Sequence, residues 1–532
     1  MRTTIYIPPA PAVRHAISSK KMENPLKTRT AKQAPNPVEP TDIQNLLAAI
    51  NKYEVRDKLQ IPADRSIRGA EDVPPPTNRH GRVANILDSL SALLVSKLKH
   101  EVIATGLRVD VNAKTIQFIL SSDGDIPTTT IIHARWIWNA LGQISARFHE
   151  LYPKIADDNT PTHEIKDGQL REQTHEFAIQ CIKFNFSRVQ KRVNSKFRDF
   201  SAIDHKMFDA DHPFQRVLRS INTLEGSYTK ANGSMFGRPA DDDEQKWPLL
   251  VHLLRECQGS IKTFFTCGGF SGAELLHHVS HFVKWEAYLR KIAGIMNDVD
   301  VLLKAAYSRK CRHLFSLKLI VDPLPSISSK AQSVPQTQKD WETVLENALA
   351  YWEEQQFEHE PKLMNMTAIE KDTAFIAQQT ISNNLVLHAE VKLLLAIARS
   401  QTDMPHLAKA YSYLGVSKLS CRGCHAFIQA YNRAHPESRY ITRGSHGKSY
   451  WPWKFPDPSN FSKSDETAEY TYRILAQRWV NTYEGYQPEK VQLIQPDFTA
   501  GSDMSPPLVG EDDAAIQRLA EEQMKLFDDP VS

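Results

Sequence analysis

The hydrophobic pattern of this chain changes near residue 330, and this change limits the architectures that the chain can adopt. Between about 82 and 310, apolar residues recur at spacings of three and four, as in RVANILDSLSALLVSKLKH and REQTHEFAIQCIKFNFSRVQKRV. This spacing is typical of amphipathic helices. One stretch at 107–120, LRVDVNAKTIQFIL, alternates around an Asn-Ala-Lys turn and predicts a small hairpin. The region before the change is therefore expected to be mostly helical.

After the change, short strand-like segments alternate with helical ones. The segment DPLPSISSKAQSVPQTQ, near 323–339, is rich in Pro, Ser and Gln and is typical of a linker. The helical LVLHAEVKLLLAIARS is followed by the strand-like YSYLGVSKL, the helical CRGCHAFIQAYNRAH and the strand-like RYITR. Such alternation predicts an α/β layer domain.

The predicted organisation has five segments, and a chain of 532 residues is long enough for more than one core. We predict a largely disordered basic segment at 1–80, a helical domain of unknown role at 81–322, a linker at 323–339, an α/β domain at 340–495 and an acidic tail at 496–532. Residues 1–100 hold 16 Lys and Arg against 9 Asp and Glu, whereas residues 501–532 hold 2 against 8. The net charge of +3 provides no global argument for nucleic-acid binding.

Cysteine usage and hydropathy indicate the compartment. Six cysteines in this length do not make a disulfide framework, and only Cys421 and Cys424 are close in sequence. The N-terminus has no apolar signal region. The longest apolar run, LLLAIA at 393–398, is far shorter than the roughly 20 residues that span a bilayer. We therefore expect an intracellular protein, cytoplasmic or nuclear, that is neither secreted nor inserted in a membrane.

Two short motifs supply a set of metal ligands. His388-Ala389-Glu390 begins one predicted helix, and Cys421-Arg422-Gly423-Cys424 begins the next. The positive end of a helix favours thiolates, which are the metal-binding form of cysteine. One imidazole and two thiolates leave the fourth position of a zinc ion open for water, whose pKa then falls toward ~7. Glu390 is then placed to move protons instead of binding the metal.

Other interpretations of the cysteine pair stay open at this stage. A thioredoxin-like redox pair gives no role to His388 and Glu390, and c-type haem attachment to Cys421-Arg-Gly-Cys424-His425 requires export. A structural zinc site needs a fourth protein ligand, which His425, His446 or His406 would provide. In that case the domain would be a catalytically inactive, zinc-stabilised interaction or scaffold module, whose helical region binds protein partners of unknown identity.

The motifs resemble the signature of the zinc nucleobase deaminases, His-x-Glu followed by Pro-Cys-x-x-Cys. Ser420 stands where the signature has proline, and a serine is able to N-cap the same turn. The resemblance is to the cytidine deaminase-like superfamily, and more narrowly to its fungal nucleic-acid/nucleotide deaminase branch. It is carried by LHAEVKLLLAIA at 387–398, YLGVSKLSCRGCHAFI at 413–428 and RGSHGKSYWPW at 443–453.

The resemblance implies both a fold and an activity. The fold would be a three-layer α/β/α domain, so that the whole chain is of the α+β/α/β class with a helical N-terminal region. One Zn²⁺ per chain would be bound by His388, Cys421 and Cys424, with Glu390 as the catalytic proton carrier. The substrate would be a nucleobase in a free nucleotide or in a single-stranded nucleic acid.

Four further residues are candidates for substrate binding. Ser445 and His446 lie in the Gly-flanked loop 444–447, where the backbone is free to approach a ligand closely. Trp451 is a candidate for stacking on a base, although such aromatics more often pin a loop to the core. Asn384 has the groups to hydrogen-bond a base edge or a ribose, or to form a turn.

Overall fold

The computed structural model describes ten segments of the chain. They are residues 38–56, 81–97, 101–153, 165–195, 211–228, 245–267, 272–327, 334–354, 373–378 and 384–484. All of them belong to one compact unit, Pro37–Ser532. The predicted tail at 496–532 lies outside these segments, as do 1–37 and 57–80 of the predicted N-terminal segment.

These segments are mostly helical. The labelled helices are α1 Pro40–Arg56, α2 Gly81–Leu93, α3 Thr128–Leu151, α4 Gly168–Asn194, α5 Pro213–Tyr228, α6 Lys246–Thr266, α7 Gly272–Tyr307, α8 Arg312–Phe315, α9 Gln338–Glu354, α10 Ala389–Asp403, α11 Arg422–Ala434 and α12 Ser464–Glu484. Within the described ranges, none of the helices has the length and apolar character required to cross a membrane.

A small mixed sheet lies among these helices. Its strands are β1 Ile103–Asp110, β2 Thr115–Ser122, β3 Lys318–Pro323 and β4 Gly415–Val416, in the order β3-β2-β1-β4. β1 pairs antiparallel with β2, which confirms the predicted hairpin, and it pairs antiparallel with β4 on its other edge. Of the strand expected in YSYLGVSKL, only β4 forms. The expected strand RYITR contributes Ile441, which forms a single β-bridge with Tyr413.

The helical region leaves the sheet after β2 and returns to it at β3. These two strands are neighbours and run parallel, and a parallel pair requires a crossover connection between its strands. Helices α3 to α8 make up that connection. The sheet thus combines strands from the predicted helical domain with β4 from the predicted α/β domain. The domain boundaries themselves stay predictions.

Alternate residues of the strands contribute to two apolar cores. The first core contains Leu107 and Phe118 together with residues of helices α2 to α7. The second contains Ala104 and Ile119 together with residues of α1 and of α9 to α12. Helix α10 approaches β1 closely, since a Cβ atom added to Gly106 would lie 2.7 Å from Ile397 Cδ1. This close packing fixes where α10 begins relative to the sheet.

Helix α1 lies in the segment that the sequence led us to expect to be largely disordered. Its apolar residues Ile43, Leu46, Leu47 and Ile50 recur at helical spacing and are buried in the second apolar core. Tertiary packing of this apolar face, more than the intrinsic helix propensity of its residues, stabilises such a helix.

Candidate functional site

The three predicted metal ligands lie at the starts of two helices. His388 is the N-cap of α10, and Cys421 is the N-cap of α11. The Cys421 Sγ accepts a hydrogen bond from the Cys424 backbone amide at 3.4 Å, so the first turn of α11 presents both sulfur atoms on the same side. Ser420, which is able to N-cap such a turn, does not do so here: Cys421 is the cap, and its sulfur accepts the amide hydrogen bond.

The ligand atoms of these residues converge. The His388 Nδ1 atom lies 3.4 Å from the Sγ atoms of both Cys421 and Cys424, and the three ligand atoms lie within 4.8 Å of one another. Tetrahedral zinc with bonds of about 2.0 Å to nitrogen and 2.3 Å to sulfur places those atoms about 3.5 Å apart. One nitrogen and two sulfur donors also suit zinc chemically. The residues therefore fit a zinc ion.

The electrostatics of the cysteine pair favour one thiolate before any metal binds. Burial opposes a charge on Cys421, but its hydrogen bonds with Cys424 and the charge of His388 lower its pKa well below the usual thiol value. Burial and the neighbouring Cys421 raise the pKa of Cys424. The pair therefore shares one negative charge, and a cation is needed to hold both sulfurs as thiolates.

The metal group has three members. Among the residues that the structure describes, no further histidine, cysteine or carboxylate joins His388, Cys421 and Cys424 within ligand distance. His425, one of the candidates for a fourth ligand, is buried in α11 outside this group. A zinc ion bound by these three residues alone would keep one coordination position for water or substrate.

Glu390 lies beside the ligand set without belonging to it. Its side chain is buried, and its Oε2 atom accepts a hydrogen bond from the Cys424 thiol at 3.7 Å. Burial, reinforced by the charge of Cys421, raises the pKa of Glu390 to about 7. A carboxyl group with a pKa in this range both accepts and releases protons near neutral pH.

Asp123, which the sequence analysis missed, also contacts this site. It follows β2 directly, and its Oδ1 accepts a hydrogen bond at 2.8 Å from the backbone amide of Ala389, 266 positions further along the chain. The carboxylate thus satisfies an amide at the start of α10. Burial raises the pKa of Asp123, and the nearby His388 opposes that shift. The only signal in the sequence was the polar run after the predicted hairpin.

The loop 444–447 runs beside the segment that leads into α11. Gly444 and Gly447 have φ angles of 122° and 74°, in the left-handed region that favours glycine. The Ser420 backbone amide donates to Gly444 O at 3.0 Å, and the His446 amide donates to Ser420 O at 3.2 Å. A proline at position 420 would lack the first of these donors, which gives a physical reason for the departure from the signature.

The four candidate substrate residues have different surroundings. Ser445 is buried, and its hydroxyl donates to Ser420 O at 2.9 Å, so it holds the loop in place. His446 is buried and contacts the Tyr450 ring edge-on. Trp451 is half-buried against the second apolar core, and Asn384 is exposed four residues before His388. Their role as substrate contacts stays a prediction.

Comparison with known proteins supports part of this picture. A protein-family model described as "OTT_1508_deam:-like deaminase" matches residues 387–457, which include all three residues of the candidate metal group and Glu390. No curated protein and no solved structure matches the chain. The segment 387–457 is thus similar to a deaminase family, and it carries a His/Cys/Cys group that fits a metal ion.

Proposed function

We propose that this protein is a zinc-dependent hydrolytic deaminase that acts on a nucleobase in a nucleotide or a nucleic acid. The observation that carries the proposal is the three-ligand group His388, Cys421 and Cys424, with the buried carboxyl group of Glu390 beside it. The similarity of 387–457 to a deaminase family model supports it. We also propose a place in the fungal branch of the superfamily and a three-layer α/β/α arrangement around the sheet.

The ligand set defines the chemistry. When bound, zinc supplies a Lewis acid that activates water as a nucleophile near neutral pH. The imidazole and the two sulfur atoms would hold the ion at the starts of α10 and α11, and Asp123 fixes the first amide of α10. The ring carbon of the substrate gains an oxygen from water and loses its amino group as ammonia.

Glu390 moves the protons in this reaction. The attacking water must lose a proton, and the departing amine must gain one. A single carboxyl group that alternates between its two protonation states serves both needs. Before any metal binds, burial and the charge of Cys421 raise its pKa to about 7, which is the range that suits a group that both accepts and releases protons. Glu390→Gln would keep the shape of the side chain and remove this proton transfer.

The test combines metal analysis with ammonia release. Wild type, Glu390→Gln and Cys421→Ser are purified with zinc, and each is offered cytosine- and adenine-type bases, nucleosides, nucleotides, single-stranded DNA and single-stranded RNA. We expect wild type to release ammonia from at least one class. Glu390→Gln should retain zinc and lose activity by at least about 100-fold, whereas Cys421→Ser should lose both.

Two results would contradict the proposal. A wild-type chain that binds zinc and releases no ammonia from any of these substrates would instead indicate a zinc-stabilised interaction module. Unchanged activity in Glu390→Gln would remove the proton-transfer role.

A further inference from the structure

Helix α1 presents three side chains from one face toward the candidate metal site. Leu47, Asn51 and Glu54 are four and three residues apart, which is the spacing of neighbours on a helix surface. Leu47 contacts the Cys421–Cys424 turn, and Asn51 and Glu54 contact Ser449, which continues the loop 444–447 beside that turn. The family match begins at residue 387, so this helix lies far outside it in sequence.

Glu54 forms a buried ion pair with the residue after the first cysteine ligand. Arg422 Nη2 lies 3.2 Å from Glu54 Oε1, and the two side chains are only 3% and 7% exposed. A buried charge needs its partner in place, because an unpaired charge in the interior is strongly destabilising. The pair therefore fixes the start of α11 to the end of α1.

The same carboxylate holds the adjacent loop. Its Oε2 accepts a hydrogen bond from the Ser449 amide at 2.8 Å, and its Oε1 accepts one from the Ser449 hydroxyl at 3.2 Å. Asn51 donates to the Ser449 carbonyl, and Arg422 Nε donates to Gly447 O at 3.0 Å. Glu54 thus connects the cysteine turn and the loop through buried hydrogen bonds.

Leu47 packs directly on the turn between the cysteines. A Cβ atom added to Gly423 would lie 2.8 Å from Leu47 Cδ2 and 2.9 Å from Trp453 ring atoms. Only glycine therefore allows the turn to fit between α1 and Trp453.

We propose that Glu54 is a positioning residue for the metal site, and that the part of α1 from Leu47 to Glu54 is a built-in part of that site. Glu54 acts through Arg422 and Ser449, which set the backbone that carries Cys421 and Cys424. The inference rests on the proposed function only in requiring that the site bind a metal ion.

The test measures the affinity of the full chain for zinc. Wild type and Glu54→Gln are titrated with zinc against a competing chelator, and their Co²⁺-loaded forms are compared by absorption spectroscopy. Supporting interactions behind metal ligands typically account for about 10- to 100-fold in metal affinity. We therefore expect Glu54→Gln to raise the zinc Kd by at least about tenfold and to alter the cobalt spectrum.

Ile43→Ala is the matched control. Ile43 lies on the same helix and is fully buried in the second apolar core, but it is 11 residues, about 16 Å, from Glu54 along the axis. The substitution Ile43→Ala should lower the melting temperature and leave the zinc Kd within about twofold of the wild-type value. Equal effects of the two substitutions on the zinc Kd would show that Glu54 is merely structural and would overturn the inference.

Two further outcomes are decisive. If Glu54→Gln does not fold, Ser449→Ala removes one hydroxyl from the same carboxylate, and it should also raise the zinc Kd; an unchanged Kd overturns the inference. If wild type binds no zinc, the proposed function fails and this inference fails with it. Zinc binding by wild type together with an unchanged Kd in Glu54→Gln overturns this inference alone.

Discussion

Ser420 occupies the position where the deaminase signature has proline, and the structure indicates that restoring proline would damage this site. The Ser420 amide is buried and donates to Gly444 O at 3.0 Å. Proline removes this donor and places its Cδ atom along the same direction. With a bond of about 1.46 Å from nitrogen to that carbon, the ring would come to about 1.5–2 Å from the carbonyl oxygen. The loop would have to move by more than about 1 Å.

The expected cost follows from these contacts. Leaving a buried carbonyl without its donor costs about 1–3 kcal/mol. Moving the loop also strains the neighbouring bond from the His446 amide to Ser420 O, at 3.2 Å. We therefore expect Ser420→Pro to lower the free energy of local opening at the loop 444–447 by about 1–3 kcal/mol. This corresponds to about 5- to 150-fold faster exchange of the backbone amide hydrogens there.

Ser420→Ala is the control for the hydroxyl group. Within the described part of the chain, the Ser420 hydroxyl is buried and has no hydrogen-bond partner. Its removal takes away an unsatisfied polar atom and keeps the backbone amide. We expect this variant to be as stable as wild type or slightly more stable.

Hydrogen exchange measured by mass spectrometry on zinc-loaded protein reports this local opening. Peptides that cover 415–430 and 440–455 should exchange faster in Ser420→Pro and should be unchanged in Ser420→Ala. Peptides from α4 serve as an internal reference, because α4 belongs to the other core. Equal protection of the loop in wild type and Ser420→Pro would refute the role assigned to this hydrogen bond.

Three further predictions concern the core and the metal. Burial lowers the pKa of His133 to about 3, so its contribution to stability is complete above pH ~6.5 and is lost as the pH falls toward 3. His133→Phe should therefore remove about 2 kcal/mol of the stability loss between pH 7 and pH 5 in urea unfolding; an unchanged loss would contradict this. Gly106→Ala should cost about 1–3 kcal/mol because of the contact with Ile397 Cδ1, and adding Ile397→Val, which lacks that atom, should restore part of it; strictly additive unfolding free energies would contradict this. Cys421→Ser should reduce the zinc content to background in elemental analysis. A zinc content equal to that of wild type would rule out Cys421 as a ligand.

The sequence predicted the parts of the site that lie within single turns of helix. Cys421 and Cys424 are three residues apart, so helical geometry places their side chains on one face. His388 and Glu390 are two residues apart, so their nearness comes from the short stretch of chain between them and not from a shared helix face. Chemistry then links the pairs, because two thiols and an imidazole are a known set of zinc ligands. The structure brings the three ligand residues into one group. Their spacing did not reveal which other residues surround that group.

Residues that join the site from a distance were not predictable in this way. Asp123 contacts the start of α10 across 266 positions, and Glu54 contacts Ser449 across 395. Neither residue belongs to a motif, and a single acidic residue is more often on a solvated surface. The spacing of Leu47, Asn51 and Glu54 is present in the sequence, but only the structure shows what these three side chains contact.

The sequence by itself determined which atoms are available to bind a metal, because the ligand types and their spacing within a helical turn are local properties. Only the tertiary structure decided that the hairpin, β3 and β4 form one sheet, and that α1 covers the cysteine turn. The physical reason is that burial and buried charge pairing depend on contacts between segments hundreds of residues apart, and one sequence does not encode those contacts as a periodic pattern.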